Sequence, residues 1–259
     1  PESLQCTSTG LVPVDPADLQ PTPENVPERR RTRRRQDVGP ISNSKVEKFN
    51  SCQHGFWLEY LQGYAWGKSD SLSRGIFLHA ILEHVGKKAL GRRPTRDEMA
   101  DAVRAAHQEP EIAEWLASPA AAEAIPKVLI AVSGMDLDFS SVREIEKFFR
   151  GNIRVEGKSF VLSGKMDVLR RLEPTVAGID DYKVSDQIWS EEGHRKQGML
   201  YAYMVFPLWP EVEKVKVRFI FPIPGKDLPF EATRKQAEAE VTQWASGYVR
   251  EVEERRGED

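Results

Sequence analysis

The chain has 259 residues, 40% of them hydrophobic, and a formal net charge of −3. That length suits one large domain or two small ones with a real core, and no apolar run approaches a transmembrane span. With no global basic field, a polyanion would have to be met by a local groove. Residues 1–40 hold seven of the 17 prolines and set six basic against six acidic residues, so the −3 belongs to the remainder. This composition predicts a disordered tail. Its Arg29–Arg35 block suits a phosphate-binding arm or a solvated linker equally well. Position 1 is Pro, which implies processing or a segment of a longer chain, and no apolar signal core follows it. Cys6 and Cys52 are the only cysteines, so a disulfide framework is not expected and a reducing cytoplasm fits.

Residues 42–61 predict a helix, with Ser44-x-x-Glu47 as a capping box and Val46, Phe49, Gln53, Phe56 and Tyr60 at helical spacing. Cys52 within it reads as a small buried apolar residue. A second helix is expected over 71–90, with Leu72, Ile76, Leu82 and Val85 in its apolar stripe. His79 lies along that stripe, where a lone histidine is ordinarily a core residue. Residues 95–132 read as helical, starting at Thr95-x-x-Glu98 and broken at Pro110, Pro119 and Pro126. A strand runs from Val142 to Val155, with Glu144 and Glu146 on one face.

Residues 159–172 and 176–184 read as strands between turn-forming triplets. Side chains alternate along a strand, so Asp181 and Lys183 share a face while Asp180 and Tyr182 take the other. Antiparallel pairing would bring Asp167 beside Asp181. Two carboxylates held close raise each other's pKa unless a cation joins them, and Mg²⁺ favours such hard oxygen ligands. A lysine beside them can orient water and stabilise a pentavalent phosphate. The ordinary alternative is a solvated charge pair. Downstream, Ser190 with Glu191 and Glu192 begins a helix on which Gln197 and Tyr201 share a face. That pair could contact a nucleic-acid backbone, buttress Lys183, or simply pack. His194 and Arg195 stand one turn earlier, placed to face phosphate. Residues 213–222 form a further strand, which requires a parallel crossover from 176, and 230–255 a closing helix with Trp244 and Tyr248 on its packed face.

Four motifs in order resemble the PD-(D/E)xK nucleases, and within them the RecB-like exonucleases. They are Gly75-Ile76-Phe77-Leu78-His79, Gly164-Lys165-Met166-Asp167, Asp181-Tyr182-Lys183 and Gln197-Gly198-Met199-Leu200-Tyr201. The resemblance implies an α/β fold: a restriction-endonuclease-like mixed sheet flanked by helices, in a domain over 41–259 with a helical insert over 92–140. It implies that His79, Asp167 and Asp181 ligate Mg²⁺ or Mn²⁺, that the Tyr182 carbonyl adds a ligand, and that Lys183 is the catalytic lysine. Gln197, Tyr201 and Arg195 would support the site or bind DNA. Glu146 is a further candidate, because relatives often carry a Glu near the metal in such a strand. The iron–sulfur branch joins a Cys near position 52 to three more beyond the last strand. None follows Cys52 here, so no iron–sulfur cluster is expected.

The expected function is metal-dependent hydrolysis of DNA phosphodiesters, from ends rather than internally, in DNA processing, repair or defence. The alternatives are an endonuclease of the same fold and a catalytically inactive DNA-binding module of a helicase–nuclease or defence complex. The expected partners are DNA and a helicase or other repair or defence protein, without membrane. The expected place is the cytoplasm, with the nucleoid.

Overall fold

The structure is a computed structural model, and it describes residues 4–7, 10–13, 28–29, 39–65, 68–188 and 190–256. Most of the expected disordered tail and of the Arg29–Arg35 block lies outside them. The chain divides into two compact units, Pro1–Gly67 and Lys68–Asp259.

In the first unit, strands β1 (Leu4–Thr7) and β2 (Gly10–Pro13) pair antiparallel, as do β3 (Glu28–Arg29) and β4 (Tyr64–Ala65). The single helix expected over 42–61 is three pieces: α1 (Asn43–Ser51), α2 (Gln53–Phe56) and a π-helical turn at Trp57–Leu61. The cap of α1 is Ser42, whose hydroxyl accepts from the Lys45 amide, and not Ser44. The break falls at Cys52, whose extended backbone ends α1 while its Sγ accepts from the Gly55 amide at 3.3 Å and caps α2. Cys52 is half-buried and disulfide-bonded. It is therefore not the free apolar residue expected, and it no longer argues for a reducing compartment.

The second unit is built on a five-stranded sheet in the order β5-β6-β7-β8-β9. Its strands are β5 (Val142–Val155), β6 (Lys158–Glu173), β7 (Val176–Tyr182), β8 (Lys214–Phe221) and β9 (Lys226–Thr233). The β7–β8 pair is parallel and the others antiparallel. The parallel pair is joined by α7 (Glu191–Leu208), as the strand–helix–strand pattern requires. Strand β9 falls partly where the closing helix was expected. Its Pro229 suppresses a strand signal and is tolerated because β9 is an edge. The closing helix, α8, spans Arg234–Arg256 and buries Val241, Ala245, Tyr248, Val249 and Val252.

The two faces of the sheet have different cover. On one, α3 (Asp70–Lys88) and the insert helices α4 (Arg96–Ala106), α5 (Ala113–Leu116) and α6 (Pro119–Ser133) share a core with Val142, Val168, Tyr182 and Ile220. The insert is thus wall rather than appendage. Thr95 and Glu98 form the expected capping box. Pro119 starts α6, but Pro126 lies inside that helix and does not break it. Leu72, expected in the stripe of α3, is exposed, because the buried face begins at Ser73 and Phe77. Helix α7 lies on the other face. It sits close because Gly198 has no side chain: a Cβ there would fall 1.9 Å from the Phe230 ring.

Asp180 ties the sheet to the insert on the face opposite α7. It is buried and takes two guanidinium groups, Arg170 Nε at 2.7 Å and Arg218 Nε at 3.0 Å. Arg170 also donates to the Asp138 carbonyl at 2.7 Å, pinning the insert to the sheet. Removing one partner of a buried pair leaves the other charge uncompensated. Asp180→Asn should therefore destabilise the protein by about 3 kcal/mol. Denaturant titration reads this as a lower midpoint at unchanged slope, and a loss below about 0.5 kcal/mol would mean the pair is no more than a surface bridge.

Candidate active site

Of the side chains singled out in the sequence, His79, Glu146, Asp167, Asp181, Lys183, Gln197 and Tyr201 converge at the Asp167–Asp181 step of the sheet. Val168 pairs with Asp180 across antiparallel strands, so Asp167 stands opposite Asp181, as alternation demands. The phase expected for β7 holds, with Asp181 on the α7 face and Asp180 on the face of the two arginines. β6 is buried without interruption from Met166 to Val168 and Leu169, because helices cover both its faces there. Asp167 is thus an acid inside an otherwise apolar run. Gly164 in the same motif gives clearance: a Cβ would meet Met204 at 2.9 Å and the Tyr201 ring at 3.3 Å.

His79 comes in from α3. Its Nδ1 lies 3.0 Å from Glu146 Oε1 and 3.5 Å from Asp167 Oδ1. It is half-buried and bonded to acids, not packed as a core histidine. Donor atoms of His79, Glu146 and Asp167 all lie within 4.8 Å of one another. Glu146, the lesser candidate in the sequence, is central here. Its carboxylate is almost fully buried, and its second oxygen meets Lys165 Nζ at 2.5 Å. Its backbone has φ 51°, a left-handed kink that a bulky residue rarely adopts. Alternation from Glu144 therefore fails, and Glu144 pairs instead with Lys147 on the surface.

Asp181 is held by three groups. Lys183 Nζ is 2.6 Å from its Oδ1, and the Tyr201 hydroxyl donates to its Oδ2 at 3.1 Å. Gln197 Nε2 lies 3.4 Å from the same oxygen and donates to the Tyr201 hydroxyl at 2.6 Å. Lys183 Nζ also stands 5.4 Å from the centre of the Phe219 ring. The Tyr182 amide donates to Asp167 Oδ2 at 2.7 Å, tying the two strands together at the site. Arg195 is not part of the assembly: its guanidinium pairs with Glu240 of α8 at 2.7 Å. His194 packs on Phe219 and Phe221.

Two contributors were not singled out in the sequence. Lys165 lay inside a quoted motif, yet nothing local revealed that its partner would be Glu146. Arg74 of α3 donates to the Val184 carbonyl at 3.1 Å and pairs with Asp186, fixing the segment after Lys183. Its signal was its place on the helix that carries His79, five residues earlier.

The electrostatics follow from crowding. Burial alone would lower the His79 imidazole, but Asp167, Glu146 and Asp181 outweigh it and push it up to about 9. Burial, with Asp181 and Glu146 nearby, raises Asp167 to about 7 although His79 opposes the shift. Burial would also raise Glu146, yet His79 and Lys165 hold it below the usual range. The set of one imidazole and two carboxylates, all able to lose protons, fits a divalent cation.

Both raised groups bind protons more tightly in the folded than in the unfolded chain, so stability falls as pH rises. The Asp167 contribution is lost from its ordinary value of 3.8 up through about 7, and that of His79 from 6.5 up through about 9. In EDTA the melting temperature should therefore decline between pH 6.5 and 9, and His79→Gln should flatten that decline. Millimolar Mg²⁺ should raise the melting temperature more at pH 8.5 than at pH 6.5. Melting curves over that range decide it, and a flat wild-type profile would remove the charge cluster as its cause.

No curated protein matches the chain by sequence. Among solved structures, the SSO0001 protein is 17% identical, over 78% of this chain and 80% of its own, with a TM-score of 0.32. A Eubacterium rectale protein named "Putative exonuclease" is 15% identical, over 82% of this chain and 79% of its own, with a TM-score of 0.44. Residues 40–258 match the PD-(D/E)XK nuclease superfamily, and with nearly the whole second unit and its mixed sheet inside that match, the chain belongs to this superfamily.

Proposed function

We propose that the protein is a Mg²⁺- or Mn²⁺-dependent deoxyribonuclease, an exonuclease of the RecB-like type. The observation that carries this is the convergence of His79, Glu146 and Asp167 beside the Asp181–Lys183 pair. His79, Glu146, Asp167 and Asp181 would hold the cation, with the Tyr182 carbonyl as a further ligand. A divalent cation held there supplies Lewis acidity and neutralises charge growing on the scissile phosphate.

The remaining work belongs to side chains. Lys183, set between Asp181 and the Phe219 ring, presents its ammonium where the attacking water and the pentavalent phosphate meet. Asp181 fixes that ammonium through Oδ1. Tyr201 and Gln197 bond its Oδ2, so the carboxylate cannot rotate away. Burial and the two acids raise the Tyr201 hydroxyl well above its ordinary value, so it remains a donor at neutral pH. Its role is positioning. No single helix among the described residues is long and apolar enough to cross a membrane, and nothing in the proposal requires one.

End-labelled linear DNA and closed circular DNA, incubated with Mn²⁺ or EDTA, test the proposal. Linear DNA should lose its label as mononucleotides or short products, while circles survive and EDTA abolishes the reaction. Cut circles would turn the assignment to an endonuclease. Intact linear DNA with retained binding would leave an inactive binding module.

Variants separate the roles. Lys183→Ala should reduce turnover by about 10²–10³-fold, the usual cost of one transition-state donor, and should also lower the melting temperature, because buried Asp181 loses its cation, while the protein stays folded at assay temperature. Wild-type turnover in that variant would sink the catalytic lysine. His79→Ala should raise the Mg²⁺ concentration needed for half-maximal cleavage. If it lowers the metal-free melting temperature and leaves that concentration alone, His79 is structural.

A further inference from the structure

Beyond the site, the long hairpin of β5 and β6 has a face on which, among the described residues, Ser163 alone is buried. β7 pairs with β6 only from Val168 onward, so from Lys147 to Lys165 the two strands pair only with each other. One side of this ribbon is core: Phe149, Ile153, Val155 and Leu162 are buried. The alternating side carries Phe148, Arg150, Asn152 and Arg154, set opposite Lys165, Ser163, Val161 and Ser159. Those eight residues include three cations and no acid.

The exposed face has the chemistry of a nucleic-acid track. Phe148 is a large aromatic left 55% exposed, and Val161 beyond it is 38% exposed. The Arg150 guanidinium lies 5.5 Å from the centre of the Phe148 ring. Among the described residues Arg150 and Arg154 have no acidic partner, although surface cations elsewhere in this protein are mostly paired. From Phe148 to Arg154 the face runs roughly 20 Å at strand rise. One end is the active site itself, for Lys165 sits across from Phe148 and its ammonium touches Glu146.

We propose that this ribbon binds single-stranded DNA adjoining the scissile phosphate. A base stacks on Phe148, and Arg150 and Arg154 take successive backbone phosphates. The inference rests on DNA being the substrate. Continuity with the site and uniform positive charge select a polyanion. The exposed ring selects a strand with unstacked bases, since a duplex offers no free base face to stack on. Lys165 would leave Glu146 for a phosphate when a cation takes its place there.

The test is fluorescence anisotropy of the full chain in EDTA, with a labelled oligothymidylate and a blunt duplex of equal length. Phe148→Ala should weaken oligothymidylate binding roughly tenfold, with duplex binding within about twofold of wild type, and Phe148→Trp should restore it. Replacing Arg150 and Arg154 together by Ala should lower the slope of log affinity against log salt by about 1.4, at about 0.7 per phosphate contact. Melting curves confirm that each variant is folded. Equal losses on both DNAs, or no loss and an unchanged salt slope, would overturn the proposal. So would wild-type self-association that Phe148→Ala abolishes without affecting oligothymidylate affinity, since the face would then be a protein interface. A wild type that neither binds nor cuts any DNA removes the nuclease proposal first, whereas a wild type that cuts DNA beside indifferent ribbon variants removes the ribbon alone.

Discussion

The repulsion between Asp167 and Asp181 is the constraint that the rest of the site answers. Strand register sets them opposite each other on buried strands, with Glu146 completing a third acid. Buried like charges cannot persist without compensation. Each acid has its own cation or donor set: His79 and Lys165 at Glu146, the Tyr182 amide and His79 at Asp167, Lys183 and Tyr201 at Asp181. The elements that bring these groups are α3, β5, β6, β7 and α7, so five of the eleven labelled elements of the second unit meet at one cluster of charge.

The adjacent acids Asp180 and Asp181 show how a strand assigns opposite tasks to neighbours. Asp180 faces two guanidiniums that cannot lose their protons, and one of them, Arg170, ties the insert to the sheet. Asp181 faces an amine, a phenol and an amide, groups that can be rearranged around a substrate. A one-residue slip of β7 would exchange them, placing Asp180 in the acid cluster and Asp181 between the arginines. Ladders on both sides of β7 oppose that slip.

Much of this was legible in the sequence because strand and helix periods carry it. Alternation put Asp181 with Lys183, helical spacing put Gln197 with Tyr201, and the crossover from 176 to 222 required a parallel pair. Legibility failed where the backbone departs from those periods. The φ of 51° at Glu146 turns a side chain that simple alternation would have grouped with Glu144. Cys52 interrupts a helix that apolar spacing runs straight through. Pro229 hides an edge strand, and Pro126 fails to end a helix whose remaining turns are held by Val128 and Val132 in the core. Arg195 differed for another reason. Its partner Glu240 lies 45 residues away on a helix whose docking no local pattern reveals.

The pairing of three acids with His79, Lys165 and Lys183 also bears on what a metal does for this fold. In small zinc domains the protein collapses only when the ion arrives, because nothing else offsets its ligands. Here the offset is built from side chains, and a core from α3 to β8 encloses the site independently. A divalent cation entering the cluster would displace a proton from His79 and the ammonium of Lys165 from Glu146. Its binding is thus an exchange of positive charges, weaker than capture by bare acids and more dependent on pH. The displaced ammonium is left at the mouth of the site, facing the ribbon along which we place the DNA strand. On the proposed reading, the residue that keeps Glu146 satisfied without metal would become a phosphate contact once metal is bound, which would link loading of the site to readiness for substrate.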